Sequence, residues 1–246
     1  MSEIKTAFTS EQYANPYPPG IEKHYWHQGR NRIVLRKLQS VLGPGSQVLD
    51  VGCGPGVLVD FLRRAGIDCA GVDPGSPVPA SSAVAPFLTL GVSAFDLPAA
   101  LRERYAVLLL MDVLEHLEEP LSFLRDCQQA FPRATHVFIT LPARMELWSS
   151  YDEYYGHFRR YTLETLKALT DQTDWALRDC GYFFHALYAA GRVAVAGSRT
   201  RSHHIATPKV AGPHALLGRL LDLEERVLPP TLPGSSLFGL IERPAR

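Results

Sequence analysis

Two stretches of this 246-residue chain bring chemically useful side chains close together. The first is Val48-Leu49-Asp50-Val51-Gly52-Cys53-Gly54-Pro55-Gly56. Glycine has no Cβ and tolerates positive φ, so a turn of Gly52, Gly54 and Gly56 lets the backbone approach a nucleotide-like cofactor closely. The dinucleotide fingerprint Gly-x-Gly-x-x-Gly requires glycine where Val57 stands, which argues against NAD or FAD. Asp50 before the loop and Asp73 at the end of the next expected strand are placed to accept hydrogen bonds from ribose hydroxyls. Each such bond to a charged acceptor contributes about 1.5–3 kcal/mol. The plainer reading is a glycine turn that packs helix on strand, with Asp73 a solvated strand end; it needs several coincidences.

The second stretch is Asp112-Val113-Leu114-Glu115-His116. On a helix, Asp112, Glu115 and His116 stand at i, i+3 and i+4 and share one face. Two carboxylates and an imidazole are ligand chemistry for a divalent cation, or a seat for a general base; the plainer alternative is cofactor-side hydrogen bonding at a helix start. Two aromatic segments lie outside the regular pattern and are expected to close over a ligand. One carries Tyr25, Trp26 and His27, and the other runs from Tyr151 to His157 and includes Tyr155. Arg159 and Arg160 suit a phosphate or carboxylate on an acceptor. Neighbouring side chains on an extended segment diverge, so at most one should face the site, and a surface salt bridge is the alternative.

The elements that must position these residues follow from periodicity. Residues 1–20, rich in Tyr, Pro and Asn, predict an irregular arm, and Ile33, Val34, Leu35 and Leu38 predict a helix within 21–42. Strands are expected over Gln47–Val51, Ile67–Val72, Phe87–Val92, Ala106–Leu110 and His136–Leu141, with helices over Val57–Arg64 and Pro120–Phe131. This alternation implies an α/β, doubly wound sheet. The Pro- and Ser-rich crossover 74–86 is expected to be loop. Residues 143–161 read as an active-site loop, Thr162 to Thr170 as a helix, and Trp175 to Val195 as containing a sixth strand. After a polar stretch come a helix over His214–Leu228 and a strand over Ser236–Glu242. The division is an arm and helix over 1–42 and a single domain over 43–246, with 197–228 an insertion carrying a helix.

The glycine stretch resembles motif I of class I S-adenosylmethionine-dependent methyltransferases, and Gly71-Val72-Asp73 resembles their second-strand acidic motif. The resemblance implies a Rossmann-like seven-stranded, mostly parallel sheet with a final antiparallel strand and a helical arm at the amino terminus. It implies S-adenosyl-L-methionine as cofactor. Gly52, Gly54 and Gly56 would border its methionine part, Asp73 its ribose, Asp96 its adenine amino group, and Met111 would flank the adenine. Asp50 and Arg30 are expected beside the cofactor too. The acid-x-x-Glu-His segment is similar to ubiquinone-biosynthesis O-methyltransferases and to the methyltransferases of small-RNA 2′-hydroxyls. Both carry a further histidine after the fifth strand, here His157. By that likeness Asp112, Glu115, His116 and His157 would hold Mg²⁺ or another divalent metal, or His116 and His157, with Glu115, would serve directly in catalysis.

A sulfonium methyl group needs mainly alignment, whereas a hydroxyl acceptor also needs its proton removed or its oxygen polarised. O-methylation of a small-molecule, sugar or lipid-linked acceptor is therefore expected. N- or C-methylation, and a catalytically silent cofactor-binding module, are the alternatives. Lys and Arg total 25 and so do Asp and Glu, so the global charge gives no electrostatic reason to expect a nucleic-acid partner, which leaves only a local basic patch as a route to one. No run of about 18 apolar residues predicts a transmembrane segment, and residues 1–10 lack signal-peptide character, so a cytoplasmic protein is expected. Cys53, Cys69, Cys127 and Cys180 show no zinc or disulfide spacing and read as reduced thiols. The apolar helix at 214–228 leaves a homodimer open.

Overall fold

The computed structural model describes residues 8–244. Seven strands, β1 (Gln47–Val51), β2 (Cys69–Asp73), β3 (Leu88–Leu90), β4 (Tyr105–Met111), β5 (His136–Pro142), β6 (Ala176–Phe183) and β7 (Ser236–Glu242), form one sheet in the order β3-β2-β1-β4-β5-β7-β6. Pairing is parallel except at β7, which runs antiparallel between β5 and β6. The nine α-helices among the described residues are α1 (Ser10–Ala14), α2 (Tyr25–Gln39), α3 (Val57–Arg64), α4 (Ala99–Arg102), α5 (Pro120–Ala130), α6 (Ser150–Tyr154), α7 (Leu163–Thr170), α8 (His185–Gly197) and α9 (Ala211–Val227).

The central strands are apolar throughout because both faces are covered. Leu108 and Leu110 of β4 join Val137 and Ile139 of β5 in a core shared with α5 and α7. The alternate residues Val107, Leu109 and Met111, with Phe138, face a second core shared with α2, α3 and α9. Period-two alternation thus assigns each strand residue to one layer or the other.

Helix boundaries have local causes. Pro120 opens α5 at a position that needs no N–H donor, and Thr162 caps α7 with a reciprocal bond to Thr165. The 74–86 crossover holds no α-helix, as expected, only the start of a short 3-10 turn over Ala85–Phe87. The segment Trp175 to Val195 carries the expected strand, but also α8, which the sequence reading missed. That helix begins directly after Phe184, whose φ is 62°, without a side-chain cap.

On α9, Asp222 and Glu225 ion-pair with Arg36 and Lys37 of α2, so these acids face inward. Leu216, Leu220, Leu223 and Val227 are exposed. Among the described residues, no helix is long and apolar enough to cross a membrane.

Candidate active site

In an open α/β sheet, ligands bind beyond the carboxyl ends of the strands where the strand order reverses, here between β1 and β4. A cavity of about 1060 Å³ opens at that place. Its floor includes Gly52 and Gly54 after β1, Asp73 at the end of β2 and Met111 at the end of β4. Gly52, Gly54 and Gly56 have φ of 77°, 54° and 83°, conformations that L side chains rarely adopt. Gly56 is nevertheless no part of the cavity wall: it precedes α3, and a Cβ there would lie 2.8 Å from Leu88. It thus lets α3 pack closely on β3. Asp73, almost wholly buried, accepts the Gly54 N–H on one oxygen at 2.8 Å and the Gly75 N–H on the other at 2.8 Å.

Asp50 is buried in β1 just before the loop and is absent from the cavity lining. Its Oδ1 has no hydrogen-bond partner among the described residues. Burial pushes its carboxyl up to about 7, against the pull of Arg30, with Asp73 and Asp112 adding to the rise. Arg30 lines the cavity, stacks 4.6 Å over Trp26 and bonds Asp112 Oδ2 at 2.6 Å.

That ion pair explains why the expected helix after β4 does not form at Asp112. Asp112 adopts φ 56°, its N–H bonds to the Thr140 carbonyl at 3.0 Å, and its Oδ1 accepts from Thr140 Oγ1 at 3.3 Å. Only a 3-10 turn over Leu114–His116 follows. Asp112 is thereby turned to Arg30 and is not one of the clustered ligand atoms. Among the described residues, those belong to Glu115, His116 and His157 and lie within 4.8 Å of one another.

The 143–161 segment docks onto that turn. The Phe158 N–H donates to the Glu115 carbonyl at 2.8 Å, Tyr161 Oη donates to the Leu114 carbonyl at 3.2 Å, and the Tyr155 carbonyl lies 3.0 Å from His116 Nδ1. A carbonyl only accepts, so His116 carries its proton on Nδ1 and leaves Nε2 as a lone pair. His157 Nδ1 meets Asp152 Oδ1 at 2.9 Å, which likewise leaves its Nε2 free of the proton when the ring is neutral. The two rings stand edge to face with centroids 4.6 Å apart.

Burial drives His116 down to about 3, and the neighbouring His157 adds to this. Burial also raises the Glu115 carboxyl well above its usual range, with Asp112 contributing. Asp152 is fully buried; although burial works to raise it, bonds from His157, Arg160 and the Ser149 N–H hold it down at about 2.

These shifts predict a pH effect on stability. The unfolded chain protonates His116 near its ordinary 6.5 while the folded protein does not until about 3, so the stabilisation present above 6.5 is lost as pH falls through this window. His27, lowered well below its usual value by burial and then by Arg30, acts in the same direction. Asp50 acts in the opposite one, since its folded value is raised. The readable quantity is therefore a difference between variants. Between pH 6.5 and pH 5, His116→Gln is expected to lose roughly 2 kcal/mol less stability than the unsubstituted protein in urea titrations. Parallel pH profiles would remove the assignment.

The remaining expected site residues divide clearly. Tyr25, Trp26, His27, Tyr155 and Arg160 line the cavity. Arg159 turns away to the Glu118 carbonyl, so one arginine of the pair faces the site, and that one is held by Asp152 at 2.8 and 3.0 Å. Asp96 is exposed and off the cavity wall, because the 3-10 turn capped by Ser93 rotates it outward; Ser93, Ala94 and Phe95 line the cavity instead. The sequence reading missed Tyr13 and Tyr17 of the arm and Asp152. Asp152 carries a local signal, the Ser149-x-x-Asp152 capping box at the start of α6.

Fold and cavity together define a class I S-adenosylmethionine-dependent methyltransferase fold. Residues 25–179 match the family model described as a methyltransferase domain, and the chain belongs to that family. The ubiquinone biosynthesis O-methyltransferase of Aliivibrio fischeri (strain MJ11) is 33% identical over 103 residues, covering 39% of this chain and 44% of that protein. The protein of the same name from Hahella chejuensis is 37% identical over 106 residues, covering 40% and 44%. The chain thus spans less than half the length of these curated relatives. Among solved structures, the magnesium protoporphyrin IX methyltransferase of Synechocystis PCC 6803 is similar at TM-score 0.54 and 14% identity, over 95% of this chain and 90% of that one. The methyltransferase domain of bacterial CtHen1-C is similar at TM-score 0.52 and 17% identity, over 89% and 99%. At these identities the likeness is one of fold.

Proposed function

We propose that the chain transfers a methyl group from S-adenosylmethionine to a hydroxyl of an apolar small molecule. The observation that carries this reading is the pair of imidazoles, His116 and His157, both held through Nδ1 so that Nε2 is left for an acceptor beside the cofactor loop. The glycine turn with positive φ fits a ligand whose chain packs close against the backbone. Asp73 would hold the ribose, Gly52 and Gly54 would border the methionine part, and Met111 would flank the adenine. The cofactor supplies a methyl group already activated on its sulfonium.

Trp26, Leu147, Phe158, Leu187 and Ala190 line the acceptor side, which favours an aromatic or otherwise apolar hydroxyl compound over a bare sugar. On this reading an imidazole Nε2 would take the hydroxyl proton, and the bound cofactor would supply its methyl group to the oxygen, with S-adenosylhomocysteine and the methyl ether as products. Glu115, His116 and His157 also form a set that fits a divalent cation: two imidazole nitrogens and a carboxylate whose Oε2 has no partner among the described residues. Such nitrogen-rich donors suit a transition-metal ion better than Mg²⁺. A cation held there would polarise the acceptor oxygen. The curated relatives' name, with its O-methyl chemistry, supports the hydroxyl reading.

The test is calorimetric titration with S-adenosylmethionine, followed by acceptor screens read as S-adenosylhomocysteine release. Asp73→Asn is expected to weaken cofactor affinity at least about tenfold, roughly 1.4 kcal/mol. Unchanged affinity in the folded variant would remove the ribose assignment. Full activity after exhaustive chelation, with no metal detected in the protein, would remove the cation and leave the imidazole as base.

A further inference from the structure

We propose that Tyr13 competes with the cofactor ribose for Asp73, so that the amino-terminal arm must release this carboxylate before the cofactor seats. The proposal rests on Asp73 as the ribose ligand.

Three donors occupy Asp73 among the described residues. Tyr13 Oη donates to Oδ1 at 2.7 Å, the Gly75 N–H donates to the same oxygen at 2.8 Å, and the Gly54 N–H donates to Oδ2 at 2.8 Å. A carboxylate offers about four acceptor positions, so about one is left. A ribose diol brings two O–H donors. The two backbone donors belong to the loops that follow β1 and β2 and cannot leave without unmaking the site. The Tyr13 hydroxyl is the donor that can yield.

Space leads to the same conclusion. A Cβ on Gly75 would collide with Tyr13 Oη and lie 2.5 Å from Cζ, so the phenol is pressed against the backbone just beyond Asp73. Tyr17, from the same arm, lies 3.6 Å from the corresponding position on Gly54, over the glycine turn. Tyr13, Tyr17 and Asp73 all line the cavity.

The arm is also built to move. α1 has five residues and buries none of them fully, and its hold on the domain includes polar bonds that water can replace. Gln12 Nε2 donates to the Tyr154 carbonyl at 2.7 Å, Asn15 Nδ2 to Tyr154 Oη at 3.1 Å, and the Ile205 N–H to the Asn15 carbonyl at 3.2 Å. These bonds tie the arm to α6 and to the segment before α9, which face the acceptor side. Lifting the arm from Asp73 therefore loosens the acceptor wall at the same time.

The experiment uses Tyr13→Phe, which removes the hydroxyl and keeps the ring. Association and dissociation of S-adenosylhomocysteine and of adenosine are followed by stopped-flow fluorescence and calorimetry. The open fraction of the arm scales the apparent affinity, so the variant is expected to bind both probes about three- to tenfold more tightly, through faster association. Equal or weaker binding by Tyr13→Phe overturns the proposal and makes Tyr13 a cofactor contact instead. If the unsubstituted chain binds the probes and Asp73→Asn loses them, such a result counts against the arm alone. A chain that binds neither probe, or an Asp73→Asn variant that binds as well as the original, overturns the cofactor reading and this proposal with it.

Discussion

His116→Ala is expected to lower turnover by about 10²–10⁴-fold while cofactor affinity stays within about twofold, the signature of a group that acts on the acceptor proton. Nδ1 is committed to the Tyr155 carbonyl, so the lone pair on Nε2 is what the ring offers an acceptor, and the alanine removes it together with the ring's contact to His157. An imidazole held neutral by burial keeps its Nε2 lone pair available to an acceptor hydroxyl or a cation across the neutral pH range, while the same burial weakens it as a base. Metal content separates the two roles: the variant loses bound metal in one case and contains none before or after in the other. Steady-state kinetics with any accepted substrate reads the main effect. Turnover within about threefold of the original would show that His116 has neither role, since even modest general-base catalysis exceeds that factor.

Asp152→Ala should produce the largest loss of stability. This carboxylate is fully buried and receives Arg160 Nε and Nη2, His157 Nδ1 and the Ser149 N–H within 3.0 Å. Removing one partner of a buried pair leaves the other charge without compensation, at a cost of about 3–5 kcal/mol. The Arg160 guanidinium would keep only the Ala143 carbonyl among these partners. Urea unfolding at pH 7 checks the figure. Pairing the change with Arg160→Met is expected to recover much of the loss, because an apolar side chain has no charge to strand. A single-variant loss below about 1 kcal/mol would contradict the uncompensated charge. His157 should lose its orientation in both variants, so activity is expected to fall even where stability returns.

How far each feature was legible depends on the range of the interactions behind it. Gln47–Val51, Val57–Arg64 and Ser236–Glu242 were expected at the bounds the structure shows, because apolar runs and the glycine turn are local signals. The final strand's antiparallel direction came with the family resemblance. Its insertion between β5 and β6 is a matter of pairing across long separations and has no local sign. α8 escaped notice because its small-residue sequence lacks a polar cap and follows a strand with only Phe184 between. Asp112, Glu115 and His116 were expected on one helical face. A left-handed Asp112, bonded to Thr140 and Arg30, breaks that face and divides the trio.

The sequence by itself determined the cofactor loop, the doubly wound class and the two histidines worth testing, since glycine spacing and strand-end acids act through the backbone next to them. Only the tertiary structure decided which carboxylate serves which partner. Asp112 goes to Arg30, Asp152 to His157 and Arg160, and Asp73 to Tyr13 as well as to the loop that follows β1. Those assignments join residues from separate elements, so they depend on how α2, the arm and the 143–161 segment close over the sheet's carboxyl edge, which no local pattern specifies.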